Sequence, residues 1–252
     1  MVSVTQRIKQ VKQPYGGYIK PKLFSTIQLG DNKELSASEN ISASLVGLVV
    51  DYMTRFQNGS SIEQAFSISL RGAQLISESE YQKALNLATN IQGLDDNSII
   101  SAAQLVGYDV IFRAGPLHFT PVETINPDKD TIFNIQTMIN RSLEFIKQYG
   151  PIIIDGFTFI GGYTSTVSTG DGDFLTTDTL WDFKVTKSKL TSKQTLQLAM
   201  YYLMGKHAID DIFDSITQIG IFNPRLNIAY ILDMTTLPTE VLSEIETTVI
   251  GY

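Results

Sequence analysis

Apolar positions recur at helical spacing along the first part of the chain and crowd together, strand-like, along the rest. From Ser36 to Phe56, the residues Ile41, Leu45, Leu48, Val49, Tyr52, Met53 and Phe56 fall on one helical stripe. Ser36 or Ser38 is placed to cap it, and Asn58-Gly59 to stop it. Further helical patterns run over 62–76, 78–91, 98–106 and 130–149, so the chain up to Tyr149 is expected to be mostly helical. Before them, residues 14–33 are rich in Gly and Pro and predict an extended lead-in or a short hairpin.

At Gly150-Pro151 the pattern turns to β-branched and aromatic residues punctuated by glycines, which predicts three strands by Lys187. A helix follows, from a cap at Thr191 or Ser192 to Gly205. Two more strands, 216–222 and 228–232, are joined by the turn Asn223-Pro224-Arg225, and a last helix runs from about Pro238 to Val249. The order is helices, three strands, helix, strands, helix, and an α/β fold is expected.

The segment from Asp173 to Asp182 folds on paper into a hairpin. With Thr177-Asp178 at its tip, Thr176 faces Thr179, Leu175 faces Leu180, Phe174 faces Trp181 and Asp173 faces Asp182. Two carboxylates then stand side by side, about 5 Å apart at Cβ, a repulsive pair unless a cation lies between them. A divalent metal is the natural occupant. Without metal the repulsion predicts that Asp182→Asn leaves the fold intact or slightly stabilised. Period-2 alternation puts Lys184 on the face of Asp182, and Trp181, Phe183 and Val185 on the other. The expectation is an apolar core face and an open, charged face.

Composition narrows the chemistry. The chain has no cysteine, which excludes disulfides, zinc-thiolate centres, a cysteine nucleophile and a thiolate-held iron-sulfur cluster. His118 and His207 lie far apart with no nucleophile motif near them, so both read as surface or structural residues. Hard-cation chemistry on carboxylates remains. The net charge of -7 is unfavourable to general nucleic-acid binding, but the stretch from Phe183 to Ile209 holds Lys184, Lys187, Lys189, Lys193 and Lys206 and no acid. It is expected to form a positive patch beside a cleft. No stretch approaches the roughly 18 apolar residues that span a bilayer, and Met1–Gln13 lacks an apolar core, so no membrane association is expected and a cytoplasmic location is.

Gly170-Asp171-Gly172-Asp173 reads as GxxD, Asp182-Phe183-Lys184 as DxK, and Gln197 to Tyr201 as QxxxY, in that order and on a strand, a strand and a helix. This triple resembles the RecB-type branch of the PD-(D/E)xK nuclease superfamily. The resemblance spans residues 156–232 and, more loosely, 36–56. It implies a restriction-endonuclease-like α/β core, a mixed sheet flanked by helices, over about 150–252, within a single domain over 36–252 that carries a helical insertion at about 60–148 and follows an extended lead-in over 1–35. It further implies that Asp173, Asp182 and the Phe183 backbone carbonyl hold Mg²⁺ or Mn²⁺. Lys184 would position water and steady developing charge, and Gln197 and Tyr201 would border the site. Lys187, Lys189 and Lys193 lie next to it and are candidates for holding phosphates.

The branch also tends to carry GxxxH on an upstream helix. Here Gly47 to Asp51 gives GxxxD, which makes Asp51 a candidate further ligand, with Glu144 competing. The implied activity is metal-dependent hydrolysis of nucleic acid, DNA by family analogy, by exonuclease or structure-specific endonuclease action. The alternative is a nucleic-acid-binding or scaffold module that keeps the fold without turnover.

Overall fold

The computed structural model describes residues 2–31, 33–115, 117 and 119–252; the reading of His118 lies outside them. The chain opens on β1 (Val2–Ser3) and α1 (Val4–Gln10) and reaches β2 (Ser25–Gln28). It then runs through α2 (Ala43–Gln57), α3 (Ile62–Ala65), α4 (Ser67–Ile76), α5 (Glu78–Thr89), α6 (Asp96–Val106), α7 (Asp109–Ala114) and α8 (Lys129–Tyr149). After these come β3 (Ile154–Thr158), β4 (Val167–Thr169), β5 (Asp171–Leu175), β6 (Thr179–Phe183), α9 (Ser192–Lys206), β7 (Gln218–Asn223), β8 (Ile228–Asp233) and α10 (Thr239–Glu244), which continues as a π-helix to Ile250. Among the described residues, no helix is long and apolar enough to cross a membrane.

The chain divides into two compact units, 30–144 and the combination of 1–29 with 145–252. The helical unit begins at Gly30, ahead of the segment near 60 where an insertion is expected, and α2 packs with α6 inside it. The lead-in is corrected. Residues 4–10 form a helix closed by a capping box between Ser3 and Gln6, and Ser25–Gln28 is a strand of the sheet. The stretch between them and the described residues of the lead-in after Gln28 are largely irregular.

In the helical unit the starts of the helices follow from local capping. Side-chain oxygens of Ser42, Ser61, Ser77 and Asp95 accept backbone amides three residues on. The buried side includes Val49, Met53, Phe66, Ile99, Leu105 and Ile135. Buried Asp109 ties three helices together, accepting hydrogen bonds from Tyr52 on α2 and Ser69 on α4.

The other unit is built on a six-stranded mixed sheet in the order β2-β8-β7-β6-β5-β3, with helices packed against it; β4 pairs with β1 in a separate two-stranded ladder. Within the six-stranded sheet, neighbours run antiparallel except β6 and β7, which are parallel and joined by the crossover helix α9. One face packs Leu175, Leu180, Ile219, Ile221 and Leu232 with Leu196, Leu198, Ala199, Met200 and Leu203 of α9. On the opposite face, Phe174, Trp181 and Phe222 gather around Phe145 from the end of α8. Phe145 meets Trp181 edge-on at 4.8 Å and stacks on Phe222 at 4.1 Å. Such pairs add about 0.5–1.5 kcal/mol each beyond the area they bury. A sheet with two apolar faces replaces the expected single core face, because α9 covers the side that was to lie open.

β3 and β5 pair antiparallel with Phe157 opposite Gly172, and the Phe157 ring lies so close that a Cβ on Gly172 would be 2.1 Å from its Cζ. Gly172→Ala is expected to cost about 1–3 kcal/mol through displacement of that ring, seen as a lower urea midpoint. An unchanged midpoint would mean that Phe157 turns aside freely.

Candidate active site

The hairpin between β5 and β6 has the register the sequence predicts. Phe174 pairs with Trp181 and Leu175 with Leu180, and the Thr176 amide closes the two-residue turn on the Thr179 carbonyl at 3.0 Å. Asp173 and Asp182 are the next positions outward, where the ladder gives way: the Phe183 amide donates to Oδ2 of Asp173 at 2.6 Å. A carboxylate thus takes the place of a strand carbonyl. Asp171 to Asp173 of the GxxD segment lie on β5, as expected, and Gly170, just ahead of that strand, has a packing role. A Cβ on Gly170 would lie 2.7 Å from Val4 and 3.5 Å from the Tyr201 ring. Tyr163 braces the same point, accepting from the Phe159 amide and donating to the Gly170 carbonyl.

Asp182 is only 2% exposed. Its Oδ1 accepts from Nζ of Lys184 at 2.8 Å, and its Oδ2 is buried with no hydrogen-bond partner. Burial pushes this carboxyl up from its ordinary range, against the pull of the Lys184 charge. For Lys184, burial works against the ammonium, but Asp182 and then Asp173 outweigh it and hold the group above the usual lysine range. The three side chains predicted to cluster do so, though on a face covered by a helix and not on an open one.

α9 supplies the cover. Thr191 and Gln194 form a capping box that fixes its start, and Gln197 and Tyr201, one turn apart, share a face. Nε2 of Gln197 donates to the Tyr201 hydroxyl oxygen at 2.9 Å, which leaves the hydroxyl hydrogen available for donation. Burial pushes the Tyr201 phenol up, and the charges of Asp182 and Asp173 push the same way, so the hydroxyl stays protonated. Tyr201 thus lies within electrostatic reach of both carboxylates, and Gln197 joins the group through the Tyr201 hydroxyl.

No family model matches the chain, and neither a curated protein nor a solved structure is significantly similar to it.

Asp173 and Asp182 are hard oxygen donors of the kind Mg²⁺ and Mn²⁺ take, and the orphaned Oδ2 of Asp182 is a buried acceptor in want of a cation or a proton. Two protein carboxylates suffice for Mg²⁺, which commonly keeps several waters and takes substrate phosphate oxygens. The candidate third acids are elsewhere engaged or exposed. Asp51 lies in the helical unit and accepts from Nε of Arg55 at 2.9 Å, a helical i,i+4 pair, and Glu144 is an exposed residue of that unit. Among the described residues, no group of three or more His, Cys, Asp or Glu side chains is placed to hold a metal.

The basic segment also divides. Lys184 is spent on Asp182, and Lys206 donates to the carbonyls of Phe213 and Asp214 at the far end of α9. Lys187, Lys189 and Lys193 are exposed and are the lysines of the segment left as candidates for the expected patch. His207 meets Glu246 at 3.0 Å and stacks on Tyr252, a structural role.

Proposed function

We propose that this protein is a metal-dependent nuclease of the PD-(D/E)xK type, hydrolysing phosphodiester bonds of nucleic acid at Asp173, Asp182 and Lys184. The observation that carries the reading is the buried Asp182 carboxylate, one oxygen on Lys184 and the other unpartnered, beside Asp173 at the point where two strands part. The order β3, β5, β6, α9, β7, with its single parallel pair across the helix, agrees with a restriction-endonuclease-like core.

Asp173, Asp182 and the Phe183 carbonyl would hold Mg²⁺ or Mn²⁺, which when bound supplies Lewis-acid polarisation of the phosphate and a more acidic water. Lys184 holds a fixed positive charge where negative charge grows in the transition state, and its burial strengthens that effect. Gln197 orients the Tyr201 hydroxyl, and α9 keeps bulk water from Asp182.

The Lys184–Asp182 contact and the two-carboxylate set favour, as a second reading, a binding module that retains the site without turnover. Labelled single- and double-stranded DNA incubated with the purified protein, with and without Mg²⁺ or Mn²⁺, separates the two. Cleavage that appears only with metal is the expected result. Binding without cleavage under every metal condition would establish the second reading.

A further inference from the structure

Charge is distributed very unevenly along the chain. No acid precedes Asp31, yet Arg7, Lys9, Lys12, Lys20 and Lys22 lie in that stretch, and the acid-free run from Phe183 to Ile209 adds five lysines. These two segments hold ten of the 19 Lys and Arg residues, which leaves nine to face all 26 acids in the rest of the chain.

The fold joins the two segments. α1 packs on α9, and the Thr195 hydroxyl donates to the Ile19 carbonyl at 2.6 Å. Gly17, at φ 92°, comes so close that a Cβ on it would lie 2.7 Å from Cβ of Ser192. Ile19 is fully buried in the sheet core, so the loop ahead of it is anchored and not free to collapse. Its tip is a turn closed by the Gly17 amide on the Pro14 carbonyl at 2.8 Å, and on that tip Tyr15 is 100% exposed. Beside it lies a groove of about 540 Å³ lined by Tyr15, Gly16, Lys20, Pro21 and Lys22: one aromatic face, two ammonium groups and no acid. From the contact with α9, Lys193, Gln197 and Tyr201 follow at successive i,i+4 steps, exposed, half-buried and buried in turn. They lead from the loop toward Asp173, Asp182 and Lys184.

We propose that the loop of residues 14–22 is a platform for single-stranded nucleic acid, on which Tyr15 stacks a base and Lys20 and Lys22 hold the flanking phosphates. Only an unpaired strand offers a base face to such a ring, whereas a duplex presents stacked edges and backbone. One aromatic residue gives too little apolar area to seat the loop in a lipid surface. The destination of the strand, past Lys193 to the carboxylates, rests on the nuclease reading above; the platform itself does not.

The test is fluorescence anisotropy in EDTA with a labelled oligothymidylate of about 12 nucleotides. Tyr15→Ala should weaken binding about 10-fold and Tyr15→Phe should retain it, because the ring and not the hydroxyl does the stacking. Joint replacement of Lys20 and Lys22 by Ala should lower the salt slope by about 1.4, two single-strand phosphate contacts' worth of counterion release. The same strand annealed to its complement should bind more weakly. Parental affinity in Tyr15→Ala, or a Tyr15 effect on anionic vesicles with none on the oligonucleotide, would overturn the platform. Neither metal nor cleavage enters this measurement. A protein that binds as expected but never cleaves sinks the nuclease reading and leaves the platform standing, and one that cleaves while Tyr15→Ala binds normally does the reverse.

Discussion

Asp182→Asn is expected to lower metal-dependent cleavage by about 10² to 10³, the loss typical when a principal electrostatic group is removed from a reaction centre. The amide cannot supply the anionic oxygen that a hard cation needs, and it puts an NH₂ group where the buried, unpartnered Oδ2 now sits, or turns it against the Lys184 ammonium. Calorimetric Mn²⁺ titration should show weakened binding in the same variant. The structure revises the expectation for stability. Carboxylate repulsion alone predicts a neutral or stabilising change, but Lys184 already lies 2.8 Å from Asp182, so the substitution removes an ion-pair partner and should lower stability modestly. Cleavage by the Asn variant at the parental rate would move the chemistry away from this site.

Lys184→Met should have the largest effect on folding. It leaves Asp182 buried without its cation, and breaking a buried pair from one side costs about 3–5 kcal/mol. The lower end applies here, since the Lys184 side chain keeps 31% of its surface exposed and its partner only 3%. The cost depends on pH in a definite direction. Asp182 has a raised carboxyl in the folded state, so what it contributes is present below its unfolded value and is lost as pH rises through the folded one. Removing the ammonium raises that carboxyl further and deepens the loss. The stability difference between parent and variant should therefore be small near about pH 4 and grow toward about pH 7.5. Urea denaturation at both values measures it; equal differences would mean that Asp182 is not the group left stranded.

The hairpin register was legible because a two-residue turn between matched apolar pairs allows few alternatives: Phe174 with Trp181 and Leu175 with Leu180 fix where Asp173 and Asp182 fall. The i,i+4 spacing of Gln197 and Tyr201 carried over for the same reason, since helical geometry is local. What the sequence did not reveal was which face α9 would cover. Alternation tells Asp182 from Trp181 but does not say that both sides of the strand will be buried, and the clue, Leu175 and Leu180 on the side of the acids, carried too little weight against the charges. The strand Ser25–Gln28 was missed because its partner, β8, lies at the other end of the chain and its own residues alternate weakly. The partner of α2 is hidden for a related reason: an amphipathic stripe records that a helix has a partner, not which one.

The pairing of β2 with β8 has a consequence for how the chain is made. Gln28 meets Ile228, about 200 residues later, and the whole helical unit is synthesised between them. At about 5–20 residues per second, β2 waits about 10–40 s on the ribosome for its neighbour, while residues 30–144, which form a compact unit of their own, are completed. A strand left alone for so long is a hazard if it is sticky. This one, Ser-Thr-Ile-Gln, carries a single strongly apolar side chain, which suits it to remain unpaired among other nascent chains until the last strand arrives.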